Sequence, residues 1–426
     1  MKPCFSPANI LLPDFSTVSP KQWAVVACDQ FTSEPDYWEA VHRTVNDAPS
    51  TLHMILPEVY LSEASQRIPE INVAMERYAR ELLREHPDAM ILTERTQSDG
   101  SVRHGVLLAV DLEAYDYKKG ASSLIRATEA TVLGRIPPRV AIRENACLEL
   151  PHVMLLIDDP QGTVLEPLIG HVRGPLAYDT DLMLDGGRLR GTFLTKEEQS
   201  QISEALDRLI TPEEMAARYG DPTLPPLLFA VGDGNHSLAT AKATYEQIKE
   251  RIGSDVAALH PARYALAEVV NIHDPALKFE PIYRVLFGVE PKAVLEELRQ
   301  FLSSLKGNAA PQTLTYCYGS RQGTLQAQAP LRQLTVGTLQ DFIDAYLSRH
   351  PSASVDYIHG EDSVAALTQR EDALGFLFSG MEKNQLFRTV IFDGALPRKT
   401  FSMGHARDKR YYMECRSIIQ KETNER

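Results

Sequence analysis

Asp233 and His236 place a carboxylate and an imidazole inside the glycine-rich stretch Gly232-Asp233-Gly234-Asn235-His236-Ser237. An apolar run, Leu227 to Val231, precedes this stretch, and a segment rich in helix formers, Ser237 to Arg251, follows it. Five apolar residues ended by glycines suit a buried strand. Ala239, Ala241, Ala243, Gln247, Lys249 and Glu250 favour helix. The local expectation is therefore strand, glycine turn, helix. The first N–H groups of such a helix have no internal partner and attract an anion such as phosphate. Asp233 suits magnesium, which takes carboxylate oxygen beside substrate phosphates. The stretch lacks the Gly-Lys-Ser/Thr ending of a P-loop and the third glycine of a dinucleotide fingerprint. A plain turn before a surface helix is the competing reading, since Asp and Asn tolerate turn geometry.

Phosphoryl transfer to a hydroxyl needs a base as well as a carboxylate to hold the metal. Asp29, Glu34 and Glu144 each follow a strand or a break. Glu34 is the chosen base, although a first-turn residue stabilised by the helix dipole accounts for it too. Between Arg398 and Arg416 stand six basic residues against two acids. Arg398 and Lys399 lie next to turn residues, where they could donate to a phosphate or carboxylate; a solvated charged face is the alternative. Of twelve histidines only His236 sits in a glycine turn before a helix, and no HExxH occurs. His273-Asp274 suits proton transfer or a simple strand-end turn. The absence of GxSxG excludes a nucleophile-elbow hydrolase.

With 426 residues the chain accommodates two or three domains. Its net charge of −13 disfavours nucleic acid and acidic membranes as general partners. No apolar run reaches the roughly 18 residues of a membrane span, and the first residues do not form a signal peptide. Cys4, Cys28, Cys147, Cys317 and Cys415 are widely spaced with no CxxC, which points to reduced thiols and a cytoplasmic location.

The elements expected to position these residues run as follows. Trp23–Cys28 reads as a strand, and a helix opens at Ser33-Glu34-Pro35-Asp36 with Ser33 as cap. Thr51–Leu56 reads as a strand and Pro69–His86 as a helix. Ala89–Thr96 and Val102–Leu112 form a hairpin around Asp99-Gly100. Ser122–Leu133 reads as a helix, with a break at Ile136-Pro137-Pro138-Arg139. His152–Asp159 is a strand, Asp185-Gly186-Gly187 joins a second hairpin, and two helices split at Pro212 fill Thr195–Tyr219. Arg263–Ile272 is a strand. Beyond Pro291, helices at Val294–Leu305 and Leu339–Leu347 alternate with strands at Thr313–Tyr318, Val355–Ile358, Gly375–Phe378 and Leu386–Phe392. A last helix carries Tyr411, Tyr412, Cys415, Ile418 and Ile419. Two domains are expected, 1–288 and 289–426.

The stretches ACDQFTSEPDYW (27–38), APSTLHMILPEVYL (48–61) and GDGNHSLATAK (232–242) resemble the uncharacterised bacterial family known as domain of unknown function 1015. HDPALKFEPIYRV (273–285) and LPRKTFSMGHARDKRYY (396–412) extend that resemblance over nearly the whole chain. Asp233-Gly234-Asn235-His236 is also similar to the Asp-Gly-His-His-Arg box of the ParB and sulfiredoxin-like superfamily. That box cradles nucleotide phosphates in the free-serine kinase members. The resemblance implies that Asp233 holds magnesium or phosphate, that Gly232, Gly234, Asn235, His236 and Ser237 line the phosphates, and that Asp233 and His236 act with an N-terminal glutamate, taken as Glu34. Ser237 replaces the arginine of that box, so Lys242 or the Arg398–Lys399 pair would have to supply the cation.

The expected fold is α/β of the α+β type. Mixed sheets, hairpins and helices surround a ParB/sulfiredoxin-like element at the DGNH loop, beside a smaller C-terminal α/β unit. The expected activity is binding of a nucleotide (ATP or ADP, with Mg) or a phosphorylated small molecule, with phosphotransfer to a small hydroxyl substrate such as an amino acid. A non-catalytic nucleotide-sensing or ParB-like regulatory protein is the alternative. DNA binding ranks third, because no helix-turn-helix is evident.

Overall fold

The computed structural model describes residues 3–129 and 136–420; of residues 136–138 only the backbone is described. The chain forms two compact units. The first contains residues 1–127, 131–277 and 405–426, and the second contains residues 128–130 and 278–404. The C-terminal segment thus returns to the first unit, unlike the consecutive division at residue 288 expected from the sequence.

The first unit is built on a ten-stranded mixed sheet. Its strands run in the order 176–181, 188–193, 91–96, 102–111, 264–271, 154–157, 229–233, 125–127 and 115–116, with 5–6 also against 102–111. Alternation along the strand Val102–Asp111 shows why the sheet is buried on both faces. Leu107 and Ala109 join a core with Trp23, Trp38, Val41 and Tyr78, while Val106, Leu108 and Val110 join another with Leu155, Phe229, Leu238 and Tyr245. The helices Pro35–Val45 and Ala64–Glu81 contribute to the first core. Lys196–Arg208 and Asn235–Ile252 contribute to the second. Both expected hairpins form. Two helices, Lys196–Arg208 and Pro212–Tyr219, also form, each with a threonine cap, Thr195 and Thr211.

The second unit is an antiparallel sheet in the order 321–327, 312–318, 373–377, 279–287 and 354–359, with 401–403 also against 279–287. It carries the helices Pro291–Ser304, Thr335–Arg349, Glu361–Leu367 and Lys383–Asp393. The architecture is α+β with mixed sheets, as the sequence implied.

Several local expectations fail for physical reasons. Thr51–Met54 is a 3₁₀ turn opened by the Ser50 hydroxyl, which accepts from Leu52 N–H. Ser33 is not the helix cap; Glu34 occupies that position. Ile136–Arg143 is a helix where two prolines suggested a break, prolines being tolerated in a first turn. Ile125–Ala127 is a strand parallel to 229–231 within the expected helix Ser122–Leu133, whose last residues, 130–133, lie outside the described residues. Leu386–Phe392 is helical, because Glu382 and Gln385 form a reciprocal cap and the buried Leu386, Phe387 and Val390 share one helical face. The expected last helix is an extended segment: Tyr411–Tyr412 pairs with 25–26, and Arg416–Ser417 pairs with 148–149. Tyr411, Tyr412, Cys415 and Ile418 are all buried, which overrides their helical spacing.

Candidate functional site

The strand Phe229–Asp233 pairs antiparallel with Met154–Ile157, which sets Asp233 opposite Met154 at the sheet's end. Gly234 then turns the chain in a left-handed conformation (φ +80°), and the helix Asn235–Ile252 begins at the next residue. Glycine is required there twice over. An L side chain is strained at that φ, and its Cβ would lie 3.1 Å from Val153 Cα and 3.5 Å from His152 Cδ2. Leu238 N–H makes the first backbone bond of the helix, to the Gly234 carbonyl (3.0 Å). Asn235, His236 and Ser237 form the first turn and are half-buried.

Lys409, from the far end of the chain, brings its ammonium Nζ to 2.9 Å from Asp233 Oδ2. Burial pushes the Asp233 carboxyl up, but Lys409 outweighs it, helped by His152 and the Gly234 N–H, and the carboxyl is more acidic than an ordinary aspartate. His152 lies against this turn. Its Nδ1 is 2.9 Å from Tyr412 Oη, and its Nε2 is 3.9 Å from Asp29 Oδ2. Tyr412 Oη accepts from Cys28 N–H (3.2 Å) and donates to Cys28 Sγ (3.1 Å). Burial raises the Cys28 thiol to about 12 and the Tyr412 phenol well above its usual range, so both stay protonated and Cys28 is no thiolate nucleophile. Glu58 donates its N–H to the Cys28 carbonyl (2.8 Å), and its carboxylate is paired with Arg139.

The arrangement is an ionised carboxylate–ammonium pair at the amino end of a long helix, with an imidazole and a second carboxylate beside it. It offers N–H and ammonium donors to an oxyanion, and carboxylate oxygen to a hard cation or a hydroxyl proton. Among the described residues there is no cluster of three His, Cys, Asp or Glu side chains able to enclose a metal by themselves.

Of the residues singled out in the sequence, Asp233, Gly234, Asn235, His236 and Ser237 fall together here, with Gly232 as the preceding strand residue. Glu34 stands exposed at the start of the helix Pro35–Val45, and no hydrogen bond or ion pair joins its carboxylate to the cluster. Asp29, another acid of the same loop, reaches His152 instead. Glu144 is exposed just after the helix Ile136–Arg143. Lys242 is paired with Glu246 (2.6 Å). Arg398 and Lys399 belong to the second unit, where both lie over the Tyr357 ring. His273 bonds to Asp158 (2.8 Å) rather than to its neighbour Asp274. His152 and Tyr412 carried no motif in the sequence. The Arg407-Asp408-Lys409-Arg410 run marked only the neighbourhood, since four adjacent charges do not show which one turns inward.

Solved structures similar to this chain share little sequence with it. SbnI with a C-terminal truncation, from Staphylococcus aureus, is 11% identical, with 74% of this chain and 87% of that chain covered and a TM-score of 0.34. A conserved hypothetical protein from Pyrococcus furiosus is 9% identical, with 74% and 95% covered and a TM-score of 0.33. A free serine kinase variant in complex with AMP is 8% identical, with 74% and 92% covered and a TM-score of 0.36. No curated protein matches the chain. The family described as "Protein of unknown function (DUF1015)" matches residues 13–368, and the chain belongs to that family.

Proposed function

We propose that the Asp233–Lys409 end of the helix Asn235–Ile252 binds the phosphates of a nucleotide, or of another phosphorylated small molecule, and directs phosphoryl transfer to a small hydroxyl substrate such as an amino acid. The observation that carries this reading is Lys409 Nζ at 2.9 Å from Asp233 Oδ2, where the first-turn N–H groups begin. Ser237 leaves the loop without a guanidinium, and Lys409 supplies the missing cation from a distant part of the chain. An incoming phosphate would compete with Asp233 for that ammonium. Asp233 fits magnesium, because the ion needs only one or two protein carboxylates when substrate phosphates and water complete its shell. Bound there, magnesium would neutralise phosphate charge.

In the transfer itself, the P–O bond to the leaving phosphate breaks and a P–O bond to the acceptor oxygen forms. The acceptor's proton passes to the Asp29–His152 pair, which lies in the cluster where Glu34 does not. The free serine kinase complex with AMP is a parallel in name only at its level of similarity. The test is incubation of the purified protein with ATP or ADP, magnesium and hydroxyl amino acids, with phosphorylated product read by mass spectrometry. Asp233→Asn should lower turnover by roughly 100-fold or more while leaving the melting temperature within a few degrees. Full retention of turnover by that variant would overturn the assignment. Ligand binding without product in the wild type would identify a sensing protein.

A further inference from the structure

Arg284 and Tyr357 lie directly opposite one another on the neighbouring strands Phe279–Phe287 and Ser354–His359 of the second unit. Arg284 is fully buried, and its guanidinium is held by carbonyl and amide oxygens. Its guanidinium Cζ stands 4.5 Å from the Tyr357 ring centroid, and its donors are spent on backbone carbonyls and one side-chain amide. Nη1 donates to the carbonyls of Ile282 (2.5 Å) and Lys399 (3.1 Å), and Nη2 donates to that of Arg398 (3.1 Å). Nε donates to Gln340 Oε1 (3.0 Å). A buried arginine is thus used to fix two consecutive carbonyls of one surface turn.

The rest of the turn is equally constrained. Thr400 Oγ1 donates to the Pro397 carbonyl (2.6 Å), Ile282 N–H donates to that of Thr400 (3.4 Å), and Lys399 N–H donates to Glu129 Oε1 (3.2 Å). Lys399 is held in the left-handed region at φ +52°, where a side-chain-bearing residue is strained. The result is that Arg398 and Lys399 both lean over Tyr357. Arg398 Nε donates to Tyr357 Oη (2.9 Å), and Lys399 Nζ is 5.6 Å from the ring centroid. Both cations are exposed, and their side chains meet the Tyr357 hydroxyl and ring. Two like charges gathered on one ring by a strained, tightly bonded turn repel one another, and in a chain of net charge −13 they form a local exception.

We infer that the Tyr357–Arg398–Lys399 face of the second unit is a binding site for a small phosphate-bearing ligand, built from other residues than the Asp233 cluster. The terminal nitrogens of Arg398 and the Lys399 ammonium would share the phosphate oxygens, with Tyr357 fixing the guanidinium plane.

Inorganic pyrophosphate is the probe, titrated calorimetrically at low ionic strength into the full chain carrying Lys409→Gln, which disables the first-unit cluster. Binding should persist in that background and weaken at least tenfold when Arg398→Gln and Lys399→Gln are added. It should also weaken several-fold with Tyr357→Leu and fall as salt is raised. Both basic positions are exposed, so loss of folding is not expected, and an unchanged melting temperature confirms it. No heat of binding in the Lys409→Gln background, or equal affinity with and without the two added substitutions, would overturn the inference. Binding of an oligonucleotide or of anionic vesicles through these same residues, with pyrophosphate inert, would overturn it too, in favour of a macromolecular partner. None of these outcomes depends on turnover at Asp233.

Discussion

Asp233 keeps its charge because Lys409 stands against it, and the consequence for stability has a definite sign. Its folded-state acidity is stronger than in the unfolded chain, so the pair stabilises the fold above the unfolded-state value of about 3.9 and loses that effect as pH falls through the lower folded one. Asp233→Asn should therefore flatten this part of the acid limb and cost on the order of 1 kcal/mol at pH 7, measured by urea unfolding across pH. Gly234→Ala should cost about 1–2 kcal/mol, from the positive φ together with the close approach of Val153, and a cost near zero would show that the turn relaxes. The turn itself was legible, because glycine and asparagine types before a helical run leave few alternatives. Lys409 and His152 were not, since nothing local in the sequence says that a C-terminal lysine and a strand-entry histidine meet at residue 233.

The segment 405–417, a 3₁₀ turn at Ala406–Asp408 followed by extended chain, is the element that completes the site, and it is locked in place by buried charge. Arg410 bonds to Glu268 (3.1 Å) and is paired with Glu414, and Arg103 also reaches Glu268 (3.5 Å). Burial pushes the Glu268 carboxyl up, but Arg103 and Arg410 outweigh it and hold it at about 2. Its stabilisation is fully present above the ordinary value of 4.5 and is lost between there and about 2. Glu268→Gln should remove that pH-dependent contribution and destabilise the protein by about 2–4 kcal/mol at pH 7, because the buried Arg103 loses its counterion and Arg410 keeps only Glu414. Arg416 Nε lies 2.6 Å from Glu149 Oε1, and Arg416→Met should cost about 2–4 kcal/mol in thermal or urea unfolding, Arg143 being left as the partner of Glu149. The sequence suggested a helix here because its apolar residues recur at helical spacing. Burial on every side removes the meaning of that spacing, and the pairing partners, 25–26 and 148–149, are too distant in sequence to read. The hairpins and the two helices split at Pro212 were readable because their signals are local.

At the scale of the molecule, an acidic chain of two units carries a cationic feature in each: Lys409 beside Asp233 in the first, and Arg398 with Lys399 on Tyr357 in the second. The mixed α+β class followed from the irregular alternation of hairpins and helices. The return of the C-terminal segment to the first unit did not, because it depends on buried ion pairs between remote residues. Among the described residues no helix is long and apolar enough to cross a membrane. The proposed binding of a phosphate-bearing ligand at the Asp233–Lys409 end of the helix Asn235–Ile252 is open to direct test. A ligand that binds only the folded state raises the melting temperature by an amount that grows with the logarithm of its concentration over Kd. Thermal unfolding should therefore be followed with ATP, ADP, AMP and CTP, with and without magnesium, in the wild type and in Lys409→Gln and Asp233→Asn. A rise of several degrees is expected with at least one nucleotide, most of it lost in Lys409→Gln, with a magnesium-dependent part lost in Asp233→Asn. An unchanged melting temperature with every nucleotide, or an equal rise in all three proteins, would contradict it.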